Sequence, residues 1–175
     1  MIDSLALRMA EGIKKRTTDH PASVAVLKHA LAVIINTLSI IVFSILSGVL
    51  TGHLQEMLTI LVAFGALRMI SGGKHLRTGT LCVVVTTSLF TGMSLLNPSG
   101  YWLMSMNVVS ILLVLLFAPS GIEKQSRIPR KYYPLLKWIS ALMVTSNLVW
   151  GSSILGVCFL VQALTLVSWR GGETP

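Results

Sequence analysis

The sequence predicts an all-α integral membrane protein, with about six short transmembrane helices preceded by an N-terminal amphipathic helix at the interface. Three observations carry that expectation. The 175 residues are 53% hydrophobic and 11% charged, whereas soluble domains are roughly 25% charged. The long apolar runs are built from Leu, Ile, Val, Ala and Met with Ser and Thr interspersed, which suits packed helices better than the alternating strands of a barrel. Fourteen Lys and Arg stand against six Asp and Glu, a net charge of +8, and the basic residues fall on one side once the apolar runs are threaded through a bilayer. In a soluble domain that excess would raise nucleic acid as a partner. Here topology accounts for it, and no nucleic acid is expected.

Residues Met1 to Arg16 place Ile2, Leu5, Met9 and Ile13 at steps of three or four, with Arg8, Glu11, Lys14 and Lys15 largely elsewhere around the helix. That pattern predicts a helix lying on the membrane, and residues 1–20 are assigned to this cytoplasmic segment. A signal peptide would put its basic residues before an apolar core, whereas Lys14-Lys15-Arg16 follows this segment, so no cleaved leader is expected. Apolar residues then dominate from Val24 to Leu50, with Lys28 and His29 at headgroup level and the first span starting near Ala30. Thr51 to Glu56 is a short polar loop, and Met57 to Ile70 the second run. A polar, glycine-bearing loop from Ser71 to Gly79 leads to the third run, Thr80 to Leu96.

Asn97-Pro98-Ser99-Gly100 is strong turn chemistry, and the fourth run follows it from Tyr101 to Ala118. Pro119 opens a basic cytoplasmic loop, residues 119–134, in which Pro129 and Pro134 prevent a continuous helix. Leu135 to Trp169 is too long for one span of about 20 residues and slightly short for two. Gly151-Ser152-Ser153 is the natural break. The whole chain, residues 1–175, reads as one multi-pass membrane domain.

With the N-terminus inside and six spans, every one of the fourteen basic residues is cytoplasmic, and the opposite loops Thr51–Glu56, Asn97–Gly100 and Gly151–Ser153 hold none. This is the distribution expected of short loops, and it makes both termini cytoplasmic. Reading the last block as one span would put Arg170 outside.

The segment Arg68 to Cys82, RMISGGKHLRTGTLC, concentrates what is unusual. Gly72, Gly73 and Gly79 break the helix near the membrane surface, His75 lies between basic residues, and Cys82 begins the next span. A cysteine nucleophile acts as its thiolate, which neighbouring cations, a helix N-terminus and a histidine partner all favour. On one straight helix, His75 and Cys82 would share a face but stand about 10 Å apart along the axis, too far for a hydrogen bond. The chain must bend between them, and Gly79 is the expected place. The bland alternatives are a solvated loop histidine and a cysteine acting as a small buried hydrophobe. A metal site would need further His, Asp or Glu nearby, and neither a metal nor another cofactor is expected.

The order Arg68, Gly72-Gly73-Lys74-His75 and then Cys82 resembles the accessory gene regulator B (AgrB) family of Gram-positive bacteria. Phe117-Ala118-Pro119, the basic loop after it and Arg130-Lys131-Tyr132-Tyr133 extend the resemblance, which covers nearly the whole chain. It implies a bacterial cell-membrane cysteine endopeptidase. Such an enzyme cuts a small quorum-sensing propeptide, AgrD-like, on the C-terminal side of the future signal and holds it as a thioester. Cys82 would be the nucleophile and His75 the base. A side chain of the substrate, usually a cysteine, would then attack the thioester and close a cyclic thiolactone. Excluding water would preserve the acyl bond for that exchange.

Arg68, Lys74 and Arg77 would bind an acidic substrate tail, or else anchor the chain on anionic headgroups at about 1 kcal/mol per basic residue. Glu123 is a weak candidate for orienting His75. Asn36, Asn107, Asn147 and Gln162 are expected to hydrogen-bond between helices, and Cys158 to pack in the core. Short spans with small residues would suit a homodimer. Two other functions stay open: a peptide exporter that gathers an anionic peptide in a basic cytoplasmic vestibule, and a non-catalytic membrane scaffold.

Overall fold

A computed structural model describes residues 2–17, 21–73, 78–121 and 128–167. Those residues form seven α-helices: α1 (Ile2–Arg16), α2 (Val24–Thr51), α3 (Leu54–Ser71), α4 (Gly79–Ser94), α5 (Gly100–Phe117), α6 (Tyr133–Trp150) and α7 (Ser153–Leu166). A 3-10 turn, Arg130–Tyr132, leads into α6. There is no strand among the described residues.

The helix boundaries follow local chemistry. Ser23 caps α2 by accepting the Val26 N–H, and Gly52 ends it in the left-handed conformation (φ 75°), which glycine adopts without a Cβ penalty. The turn between α2 and α3 is therefore only Gly52 and His53, tighter than a loop running from Thr51 to Glu56. At this turn a Cβ on Gly48 would stand 2.9 Å from Met57 Cβ and 3.2 Å from Leu54 Cα, so the absence of a side chain sets how closely the two helices approach. Gly151 (φ 63°) ends α6 in the same left-handed manner, and Ser152 caps α7 by accepting the Leu155 N–H. The apolar block from Leu135 is thus two helices broken where Gly151-Ser152-Ser153 stands.

The outer surface of the bundle is apolar like its core, and several polar side chains are buried between helices. Asn107, Ser110, Ser140, Asn147 and Gln162 are buried, while Val62, Leu112, Leu116, Leu142 and Val149 point outward. So large an apolar surface on a monomer marks contact with lipid, and buried amides between helices are the matching internal feature. Asn147 shows how they are used: its Nδ2 donates to Asn107 Oδ1 and to the Ser152 carbonyl, and its Oδ1 accepts the Ser152 N–H, all at 3.0 Å. Asn36 does not follow that expectation, since its Oδ1 is buried without a hydrogen-bond partner among the described residues. Cys158 does, being fully buried in the core with Met57, Ile60, Phe64, Leu67, Phe90 and Phe159.

Three helices, α2, α3 and α5, are long and apolar enough to cross a membrane, and α4 and α7 are shorter apolar helices. Together with the outward apolar surface, this makes the chain an α-helical membrane protein.

The amphipathic α1 packs chiefly along α2. Its buried positions are Ala6 and Ala10, whereas Leu5 and Met9 of the expected apolar face are half-exposed. The helix therefore has two apolar sides: a small-residue stripe that lets it approach α2, and a larger one left outward. Hydrogen bonding of Ser47 to Thr91 at 2.7 Å sets the register of α2 against α4. Counting back at 1.5 Å per residue, α2 extends about 16 Å beyond the start of α4, and α1 packs on α2 with Ile2 reaching Gly79 at that start.

Candidate active site

Cys82, Arg68, Gly72 and Gly73 lie at one end of the bundle, where α3 ends, α4 begins and α7 ends. α3 runs to Ser71, and its C-cap Gly72 (φ 78°) and the following Gly73 (φ 132°) both hold conformations that favour glycine. These two residues leave the helix as a strap rather than a free loop. The Gly73 N–H donates to the Ser120 carbonyl at 2.9 Å, and the Ser120 N–H donates to the Ser71 carbonyl at 3.0 Å, a short parallel bridge to the segment after α5.

The inner side of the strap faces α7. Gln162, fully buried, donates from Nε2 to the Gly72 carbonyl at 2.8 Å and to Ser71 Oγ at 3.2 Å. Ser71 Oγ in turn donates to the Leu67 carbonyl at 2.7 Å. Thr165 Oγ1 lies 3.2 Å from Gln162 Oε1 and donates to it and to the Gln162 carbonyl. Gly73 is so enclosed that a Cβ on it would stand 2.8 Å from Thr165 Oγ1 and 3.2 Å from Arg68 Nη1.

Arg68 is therefore turned inward along the strap and is half-buried, not directed wholly to headgroups or an incoming tail. Its guanidinium is also close enough to Cys82 to act on it electrostatically. A cation beside a thiol favours the thiolate.

Cys82 sits in the first complete turn of α4. Thr78, in extended conformation, caps the helix by accepting the Leu81 N–H, and the Cys82 N–H donates to the Thr78 carbonyl at 3.0 Å. The thiol is half-buried, with Thr86 Oγ1 at 3.9 Å one turn further on. The positive end of the helix dipole lies beside it.

The bend expected between His75 and Cys82 lies partly outside the described residues, and within them the helix starts from Thr78, which is extended. Gly79 is already helical and is not among the left-handed glycines. What the missing side chain does there is admit α1, because a Cβ would stand 3.3 Å from Ile2 Cγ2. Lys74, His75 and Arg77 lie outside the described residues, as does Glu123. The chain enters their segment from the clamped Gly73 and leaves it at the capped Thr78.

The strap partners Ser71, Ser120, Gln162 and Thr165 were not singled out as site residues from sequence. Gln162 did carry a signal, an amide in an apolar run, but its partner could not be read from one dimension. Ser120 carried none beyond its place next to a proline.

An apolar bundle of this kind is an α-helical membrane protein, with a half-buried thiol near a helix N-terminus at the same end as an arginine and a glycine strap. The family model for accessory gene regulator B, AgrB, matches residues 6–168, and the chain belongs to that family. It is also similar to an AgrB-like protein of Halalkalibacterium halodurans, 24% identical over 192 residues, an alignment covering 99% of this chain and 98% of that one. No solved structure matches it. Family membership gives the chain a role in the agr quorum-sensing system.

Proposed function

We propose that the chain is a membrane-embedded cysteine endopeptidase that cleaves a small autoinducer propeptide on the cytoplasmic side through a thioester acyl-enzyme, leading to a cyclic thiolactone or lactone signal. The observation that carries this reading is the placement of Cys82, in the first turn of α4 beside Arg68, in a chain of the AgrB family.

In the reaction, His75 takes the Cys82 proton and the thiolate attacks the carbonyl carbon at the end of the future signal. A C–S bond forms, the peptide C–N bond breaks, and the departing amine leaves with the proton from His75. A thiol or hydroxyl of the bound peptide then attacks the thioester. The new ring bond forms as the bond to Cys82 breaks, and the Cys82 thiolate regains a proton. Arg68 favours the thiolate state, and Lys74 and Arg77 hold acidic residues of the propeptide.

The same reading takes α2 to α7 as six short spans with both termini cytoplasmic. Supporting it, the turns Gly52–His53, Leu95–Ser99 and Gly151–Ser152 contain no Lys or Arg, while Arg68, Arg130, Lys131 and Lys137 lie toward the Cys82 end. At 1.5 Å per residue the 16 residues of α4 span about 24 Å, less than the roughly 30 Å of hydrocarbon. With its far end at the outer interface, α4 would begin below the inner one, and Cys82 would meet substrate where water is scarce. An acyl-enzyme shielded in this way survives until the peptide's own nucleophile arrives.

Co-expression of the chain with its propeptide tests the proposal. Cys82→Ala and His75→Ala should each leave the precursor full length while the protein still reaches the membrane. Normal trimming by Cys82→Ala would sink the mechanism.

A further inference from the structure

We infer that Gln162 is a positioning residue for the chemistry at Cys82, acting through the Gly72–Gly73 strap. The inference rests on the peptidase reading above. α7 is apolar over most of its length, and in such a helix a fully buried carboxamide persists only if its polar atoms are satisfied.

Those of Gln162 are satisfied by the strap and by Thr165. The carbonyl of Gly72 lies just beyond the end of α3, where the last carbonyls of a helix have no partner within it, and Gln162 Nε2 supplies one at 2.8 Å. The second Nε2 hydrogen goes to Ser71 Oγ at 3.2 Å, whose own proton is committed to the Leu67 carbonyl at 2.7 Å. The Gly72 carbonyl can only accept, so it fixes which way round the amide lies, and Thr165 Oγ1 stands 3.2 Å from Oε1 while sharing its one proton with the nearer Gln162 carbonyl at 2.7 Å.

The backbone held in this way is not incidental. Gly72 and Gly73 turn the chain out of α3 with positive φ, and Gly73 lies against Arg68 Nη1, the same guanidinium that acts on Cys82. Residue 75, the base in the reading above, follows Gly73 by two. A single amide on α7 thus holds the exit of α3, against which the Arg68 guanidinium lies. An apolar side chain of similar size would fill the space and release the strap.

The test uses the full-length chain in lipid nanodiscs with Cys158→Ser, so that Cys82 is the sole thiol. Gln162→Leu, Gln162→Glu and Thr165→Val are compared with the parent by melting temperature, by kcat and KM for propeptide cleavage, and by the rate at which iodoacetamide alkylates Cys82. Gln162→Leu and Gln162→Glu should lower kcat by about ten- to a hundredfold with little change in KM, the loss expected when reacting groups are displaced by about 1 Å. Both should also change the alkylation rate of Cys82 in the folded protein, and Thr165→Val should show a smaller effect of the same kind.

Parental kcat and alkylation rate in folded Gln162→Leu would overturn the inference. So would a loss of activity wholly accounted for by a smaller folded fraction. If both Gln162 variants fail to fold, Thr165→Val decides, and unchanged kcat there would also overturn it. Trimming by Cys82→Ala would remove the peptidase reading instead, an outcome separate from the Gln162 comparisons because the alkylation assay needs no substrate.

Discussion

Cys82 donates its backbone N–H to the carbonyl of Thr78 at 3.0 Å, and this bond places the thiol one turn inside α4, within the field of the helix N-terminus. The turn is held closed by Thr78 Oγ1, which accepts the Leu81 N–H at 3.3 Å. Thr78→Ala should remove that cap at a cost of about 1 kcal/mol in local stability and slow propeptide cleavage, while Thr78→Ser should restore it. Cleavage rates of the three proteins check this, and equal rates in Thr78→Ala and the parent would detach the cap from the chemistry.

Gly73 has no room for a side chain, and its φ of 132° is one that other residues rarely adopt. Gly73→Ala should destabilise the strap by about 1–3 kcal/mol and abolish most cleavage. Gly12, helical in α1 with no heavy atom within 4 Å of a built Cβ, is the control. Gly12→Ala should be neutral or stabilise by about 0.5–1 kcal/mol. Thermal unfolding in mild detergent and precursor trimming measure both.

The two cysteines differ in access. Cys82 is half-buried at the end of a helix and Cys158 is fully buried in the core. A small maleimide should therefore add one label to the native protein, at Cys82, and two after denaturation. Mass spectrometry of labelled peptides reads the result directly, and rapid native labelling of Cys158 would contradict the packing of α7.

Asn147 lies at the opposite end of the bundle, joined to Asn107 and to both backbone groups of Ser152. Asn147→Leu leaves those partners unsatisfied, and a loss of about 1–3 kcal/mol in stability is expected. Cleavage per folded molecule should stay at the parental level because the strap and Cys82 are remote. A fall in kcat of the folded variant would show that the two ends are coupled.

The approach of α2 to α3 depends on Gly48, where a Cβ would stand 2.9 Å from that of Met57. Gly48→Val should force these helices apart, by the overpacking cost of about 1–3 kcal/mol, and lower the yield of folded protein. Gly92→Ala, with open space around its Cβ, should not. Size-exclusion profiles in detergent distinguish the two.

Much of this organisation is legible in one dimension because lipid imposes simple rules. Apolar runs must be helical where the backbone cannot bond to water, so the helices fall close to the runs from Val24, Met57, Thr80, Tyr101 and Leu135. Turn residues such as Gly151 and the sequence Asn97 to Gly100 mark the breaks. The boundaries that moved did so through caps. Leu54 joins α3 because Gly52 and His53 complete the turn, and Gly79 joins α4 because Thr78 does the capping.

The prominence of Cys82 was likewise a property of the sequence: a cysteine at the start of an apolar run, after glycines and basic residues, is conspicuous wherever the rest of the chain goes. Tertiary structure decided what surrounds it. Arg68, four residues before the strap, lies along Gly73 and interacts electrostatically with Cys82, and Gln162, ninety residues after Gly72, supplies the hydrogen bond that holds its carbonyl. Periodicity and charge are local or summed quantities, so they sort residues into helices and sides of a membrane. Which amide meets which carbonyl depends on helix register and on how closely Gly48 and Gly156 let neighbouring helices approach, and those distances exist only after the bundle has packed.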